Sequence, residues 1–219
     1  DVYKRQVSGR LKGYDLGVLI VEQDSYQDVK QKSLFVGRIS KNINRNTTLG
    51  LIHTRGDPRS NNRNSVIGMD LRYRNSSTTE DIIEGNIWYQ SSTNDYAMSD
   101  EDAFGISLSK PSPRGFRGLL QYQNVGKNFN PALGFVSRRD VELYRGILGY
   151  VKQLDDHPYI RKIYSGADTA YWNLKGLNKL QSYTQFYRLL DVEYHSGDKF
   201  NISYVRFGEG IYSENNQPF

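Results

Sequence analysis

Residues 64–74 read Asn-Ser-Val-Ile-Gly-Met-Asp-Leu-Arg-Tyr-Arg. Ile67, Met69, Leu71 and Tyr73 take alternate positions, and Gly68, Asp70, Arg72 and Arg74 fill the places between. Side chains on a strand alternate between two faces, so this segment offers one apolar face and one charged face. A face carrying Asp70, Arg72 and Arg74 enters a dry core only if every charge is paired. The apolar face needs a different surrounding, either protein core or lipid. A chain built on such strands folds as a sheet between two unlike solvents, which argues against a sandwich with a dry interior.

The same rhythm recurs in short pieces. In Ala103–Lys110, Phe104, Ile106 and Leu108 alternate with Gly105, Ser107 and Ser109. Over 82–92, Ile83, Gly85, Ile87 and Tyr89 stand opposite Glu84, Asn86, Trp88 and Gln90. Over 116–125, Phe116, Leu120 and Tyr122 share one face while Arg117, Gln121 and Gln123 share the other. Further strands are expected at 7–12, 14–23, 33–41, 48–56, 141–153, 159–172, 179–195 and 198–207, giving about twelve and no helix. Gly13 marks a tight hairpin, residues 42–46 and 57–62 are turn-rich, and His195-Ser196-Gly197-Asp198 is a second hairpin signal. Regular strands joined by turns make an all-β, antiparallel up-and-down meander.

Composition narrows the surroundings. Only 37% of residues are hydrophobic, mean hydropathy is −0.69, and the aromatics include 17 Tyr against 9 Phe. This is poor material for two packed layers and suits a single sheet with a polar interior and amphipathic rings at its borders. A Tyr-rich soluble β protein is the plainer alternative. The chain has no cysteine, which excludes disulfide staples and Cys-based zinc sites. The net charge of +5 is spread among acids without a basic run, so nucleic acid is not an expected partner. The longest purely apolar run, Val18–Val21, falls far short of the ~18–20 residues of a membrane helix. Strands of ten or more residues do match the ~9–11 needed to cross a bilayer at a tilt, and in lipid such a sheet must close. The expected fold is therefore a transmembrane β-barrel, or an open part of one. The chain opens without Met or a signal peptide, which fits a fragment, and residues 1–6 resemble translated library adaptor. That leaves 7–219 as a partial barrel domain.

Motifs of chemistry are sparse. His53, His157 and His195 are isolated from one another in sequence, and no His-Glu-x-x-His pattern is present. Asp100, Glu101 and Asp102, with Asp95 nearby, have calcium-binding oxygen chemistry but lack EF-hand spacing, and read as a solvated loop. No nucleophile elbow or phosphate-binding glycine loop occurs. No metal or cofactor is expected. Asp70, Glu84, Asp191 and Glu193 are the acids available for glycoside chemistry. The simpler reading is that they balance lumenal arginines such as Arg38, Arg72 and Arg117. The candidate lumenal ligand-binding residues are thus Arg38, Asp70, Arg72, Glu84, Trp88, Arg117 and Gln121. Trp88 and the tyrosines suit sugar stacking or interface girdles.

One segment is more specific. Residues 129–140 read Phe-Asn-Pro-Ala-Leu-Gly-Phe-Val-Ser-Arg-Arg-Asp, preceded by Val125-Gly126-Lys127-Asn128. It resembles the signature of an uncharacterised bacterial outer-membrane family, through Phe129, Asn130, Pro131, Gly134, Phe135, Arg138 and Arg139. Gly9–Gly17, Ser33–Ser40 and Ser196-Gly197-Asp198 are similar to weaker stretches of that family. The resemblance implies a long barrel region that normally follows a domain like the family-nine carbohydrate-binding modules, for which members are often described as hydrolases. It implies outer-membrane lipid as a partner, the bacterial outer membrane as location, and carbohydrate contact through the N-terminal domain. It supplies no catalytic residue. The physics of the motif favours an ordered loop over a ligand site: Pro131 fixes φ and extends Asn130, and Gly134 permits a bend. Phe219 ends the chain as barrel assembly signals do, but Asn215, Asn216, Gln217 and Pro218 break the required alternation.

The leading expectation is a non-catalytic barrel segment serving as membrane anchor or passage. Its rivals are a carbohydrate-active hydrolase using lumenal acids and a soluble β-sheet binding module.

Overall fold

The computed structural model describes residues 2–75, 82–95 and 99–210. Residues 211–219, including the terminal Phe219 and its neighbours, lie outside these. Twelve strands follow one another: β1 (Val2–Leu11), β2 (Tyr14–Gln23), β3 (Lys32–Asn42), β4 (Thr47–Arg55), β5 (Asn64–Arg74), β6 (Glu84–Asn94), β7 (Asp102–Lys110), β8 (Gly115–Val125), β9 (Val141–Gln153), β10 (Ile160–Leu174), β11 (Lys179–Tyr194) and β12 (Lys199–Glu209). They form one sheet whose spatial order is the chain order. The order does not return on itself, so the sheet is open, with β1 and β12 at its edges. The expected all-β meander is what the chain forms, and no helix occurs among the described residues. Val2–Gln6 continue β1 in register against Leu19–Gln23.

Local chemistry sets the turns. The β1–β2 hairpin closes through Lys12 (φ 48°) and Gly13 (φ 83°), two successive left-handed residues whose twist matches the flanking strands. Gly197 (φ 94°) does similar work between β11 and β12, where its amide donates to the Tyr194 carbonyl. The longest strands bend at register shifts: β10 against β11 near Tyr164–Gly166 and Trp172–Asn173, and β11 against β12 at Arg188–Leu190.

The chain divides into two compact units, Asp1–Tyr73 with Asn86–Gly105 and Asn124–Asp140, and Arg74–Gly85 with Ile106–Gln123 and Val141–Phe219. In the first, register aligns Leu16, Ile39, Leu51 and Met69 in one cross-strand row, and Asp15, Ser40, Gly50 and Asp70 in the neighbouring row of the opposite face. In the second, Tyr144 pairs with Tyr171 and Leu148 with Ala167 on one face, while Arg145 pairs with Ala170 on the other. Within each unit the large apolar side chains are on the open face: Ile67 is 63% exposed, Leu120 69% and Leu148 64%. Several small to medium apolar residues are buried on the face that also carries the charges, among them Val66 and Ala103 in the first unit and Leu143 and Val151 in the second. This inverts the soluble pattern, in which an exposed contiguous apolar patch is the exception.

Candidate functional site

The charged face of the first unit is organised around Asp70 on β5. Arg38 on β3 reaches it across the intervening strand, Nη2 to Oδ2 at 2.6 Å, and Arg72 holds the other oxygen, Nε to Oδ1 at 3.2 Å. The bridge from Arg38 passes over Gly50 of β4. A Cβ at Gly50 would stand 2.5 Å from both Arg38 Nη2 and Asp70 Oδ2. Trp88 on β6 lies over Gly105 of β7, where a Cβ would meet its Nε1 at 2.6 Å. Asn86 keeps a buried Oδ1 with no hydrogen-bond partner among the described residues. Arg38, Asp70 and Arg72 thus meet in one cluster, while Trp88 is seated as a cover on a glycine.

In the second unit Glu84 accepts from Arg74 at 3.4 Å and from Ser109 Oγ at 3.5 Å. Arg145 and Asp168 form a bidentate pair, Nε to Oδ1 at 3.0 Å and Nη2 to Oδ2 at 2.7 Å. Glu193 is clasped by Arg161 at 3.0 Å and Lys162 at 2.8 Å. Asp191 stands 4.0 Å from Arg188. Gln121 is half-buried on β8 and makes no side-chain hydrogen bond among the described residues. Arg117 meets no carboxylate there. It lies over the Tyr164 ring at 5.8 Å, and Arg188 lies over the same ring at 5.5 Å. Tyr164 covers Gly149 and Gly166, two facing glycines of β9 and β10. A Cβ at Gly149 would stand 2.5 Å from its Cε2 and hydroxyl.

The acids that sequence offered for glycoside chemistry, Asp70, Glu84, Asp191 and Glu193, therefore each face at least one cation. Alternation could not find Gly50, Tyr164 or the Arg145–Asp168 pair, because their roles depend on the register between strands. The only written signal was the glycine content of β9 and β10 beside an inward tyrosine.

The Phe129–Asp140 segment is a loop docked on its own unit. Phe129 is 3% exposed. Ser92 Oγ accepts from the Asn130 amide at 3.0 Å. Asn64 donates to the Asn130 carbonyl at 2.8 Å and accepts from the Ala132 amide at 3.2 Å. Pro131 opens a turn closed by the Gly134 amide at 2.8 Å, and Arg139 Nη2 donates to Asn130 Oδ1 at 2.8 Å. Phe135 projects outward, 89% exposed. Arg138 is half-buried and engaged. The buried Asn64 side chain is satisfied by this loop, and the buried Ser92 hydroxyl by this loop together with the Glu101 carbonyl, to which it donates at 3.1 Å; neither role is announced in sequence.

Neighbouring acids are likewise engaged in loop structure. Asp95 accepts from the Arg63 amide at 2.8 Å and from Arg63 Nε at 3.1 Å, and these bonds, the backbone one first, hold its carboxyl below the ordinary range. Asp100 accepts from the Lys127 amide at 2.7 Å, and Glu101 from Asn94 Nδ2 at 2.8 Å. His157 Nδ1 accepts the Ile160 amide at 2.9 Å, His195 Nε2 lies 3.0 Å from the His157 carbonyl, and His53 lies 3.1 Å from Ser65 Oγ. No group of metal-binding residues occurs among the described residues. No family model, curated protein or solved structure matches the chain.

Proposed function

We propose that this chain forms part of the wall of a bacterial outer-membrane β-barrel, with lipid against its apolar face and water against its charged face. It serves there as anchor or passage and holds no catalytic groups of its own. The observation that carries this reading is the inverted distribution of side chains. Rows such as Leu16–Ile39–Leu51–Met69 are exposed, while Asp70, with its side chain 16% exposed, is held in ion pairs on the other face. Water penalises the first arrangement and lipid rewards it. The similarity of Phe129–Arg139 to the outer-membrane family supports the same reading, with carbohydrate contact falling to that family's N-terminal domain.

The absence of native cysteine makes a direct test simple. Single cysteines replace Met69 and Asp70 in the full chain, each carrying a fluorophore, in liposomes containing nitroxide-labelled lipid. Lipid nitroxides should quench the label at 69, and a water-soluble quencher should reach the label at 70. Equal aqueous quenching at both positions, with the protein recovered in the soluble fraction, would overturn the proposal.

A further inference from the structure

The charged face of the second unit carries a small hollow of about 240 Å³ whose charges do not balance. Its walls include four cations, Arg117, Lys162, Arg188 and Lys199, against two carboxylates, Asp191 and Glu193. Glu193 is already held by Lys162 and by Arg161, which lies outside the lining. Asp191 touches only the limit of ion-pair distance from Arg188, at 4.0 Å. Two guanidinium groups, those of Arg117 and Arg188, share the Tyr164 ring. That ring lies flush on the backbone of Gly149 and Gly166, in space that a side chain at either position would take. Two arginines against one aromatic ring, one of them without a carboxylate among the described residues, bring guanidinium donors suited to oxyanions to the wall of this hollow. The lining surplus of two positive charges, four minus two, equals the charge of a dianion.

We propose that this hollow is a binding site for a dianionic tetrahedral oxyanion, that of phosphate or of a phosphomonoester, with Arg117 and Arg188 as the principal donors. If the wall lines a barrel, as proposed above, the site stands on the aqueous passage. The site itself does not depend on what covers the apolar face.

The test is calorimetric titration of the full chain in detergent micelles with inorganic phosphate, sulfate, chloride and glucose 6-phosphate. Phosphate and sulfate should bind saturably at one site, and chloride should not. Arg117→Gln should weaken binding by about tenfold or more, the loss of one charge-assisted hydrogen bond. Arg117→Lys should retain part of it. Arg10→Gln removes the same charge from an exposed ion pair at the β1–β2 hairpin and should change nothing. Phosphate binding with exclusion of the ester would assign the site to the free ion. Ester binding as tight as phosphate would assign it to a phosphorylated molecule. Binding that tracks ionic strength alone, or that Arg117→Gln and Arg10→Gln reduce equally, would overturn the proposal. Because micelles present no bilayer, a negative result here leaves the quenching test above to decide the membrane reading separately.

Discussion

Gly50 holds a place where any other residue would put a carbon into an ion pair. Arg38 and Asp70 meet directly above it, so Gly50→Ala must displace one partner or bend β4. We expect a loss of about 1–3 kcal/mol in unfolding free energy, the usual cost of forcing an atom into an occupied space. Gly17→Ala is the control, since a Cβ there meets nothing within 4 Å, and it should be neutral or slightly stabilising. Urea titration of both variants distinguishes a steric requirement from a general cost of removing glycine. That Arg38, Asp70 and Arg72 share a face follows from alternation alone. That Arg38 and Asp70 touch does not, because it needs two cross-strand registers and a missing side chain between them. Arg117 shows the same division: its face is written in Phe116–Gln123, but its seat on Tyr164 is written nowhere in that stretch.

At the level of single elements, β5 gives the sharpest discrimination between lipid and water. Met69 is 51% exposed on its apolar face. In a soluble sheet, Met69→Arg is an exposed substitution and should cost no more than about 0.5 kcal/mol. Facing lipid near mid-depth, the same change should cost about 2–4 kcal/mol. Unfolding titrations in liposomes measure the difference, and a near-zero result there would contradict the lipid-facing assignment. Apart from β1, which begins five residues before the expected 7–12, strand ends are legible to within two residues because period-two alternation and glycine turns are local signals. The β10 and β11 register shifts are not, because a bulge inserts a residue without changing composition. The connections add a pH prediction of their own. Asp95 is held below its ordinary value by Arg63, so the stabilisation is complete above the unfolded carboxylate value of about 3.9 and is lost as pH falls through the lower folded value. The Arg63 amide resonance should therefore titrate with a midpoint below that of a free aspartate, and Asp95→Asn should abolish the transition.

For the molecule as a whole, the up-and-down order means that each strand finds its partner next to it in the chain. Each pairing can therefore zip outward from the connection between its two strands, which keeps the loop-closure cost low. The docked 126–140 loop is different. Its bonds to Asn64 and Ser92 close separations of 66 and 38 residues. Removing both side-chain partners, in Asn64→Ala with Ser92→Ala, leaves the Asn130 carbonyl, Asn130 amide and Ala132 amide without them. Each orphaned group should cost about 1–3 kcal/mol. Docking of the loop onto strands already paired predicts that the double variant unfolds faster while folding at nearly the unchanged rate. A slowed folding arm instead would place the loop in the nucleus.

A two-faced strand has one characteristic error: a slip of one residue turns every side chain over. In β6 such a slip would carry the Ser92 hydroxyl to the opposite face, and in β5 it would carry the Asn64 amide away from the loop. The Asn130 amide and carbonyl and the Ala132 amide would then lose their side-chain partners. The loop thus reads the alignment of strands it is not part of, and docks only when that alignment is right. Its docked state is therefore tied to the correct register of β5 and β6.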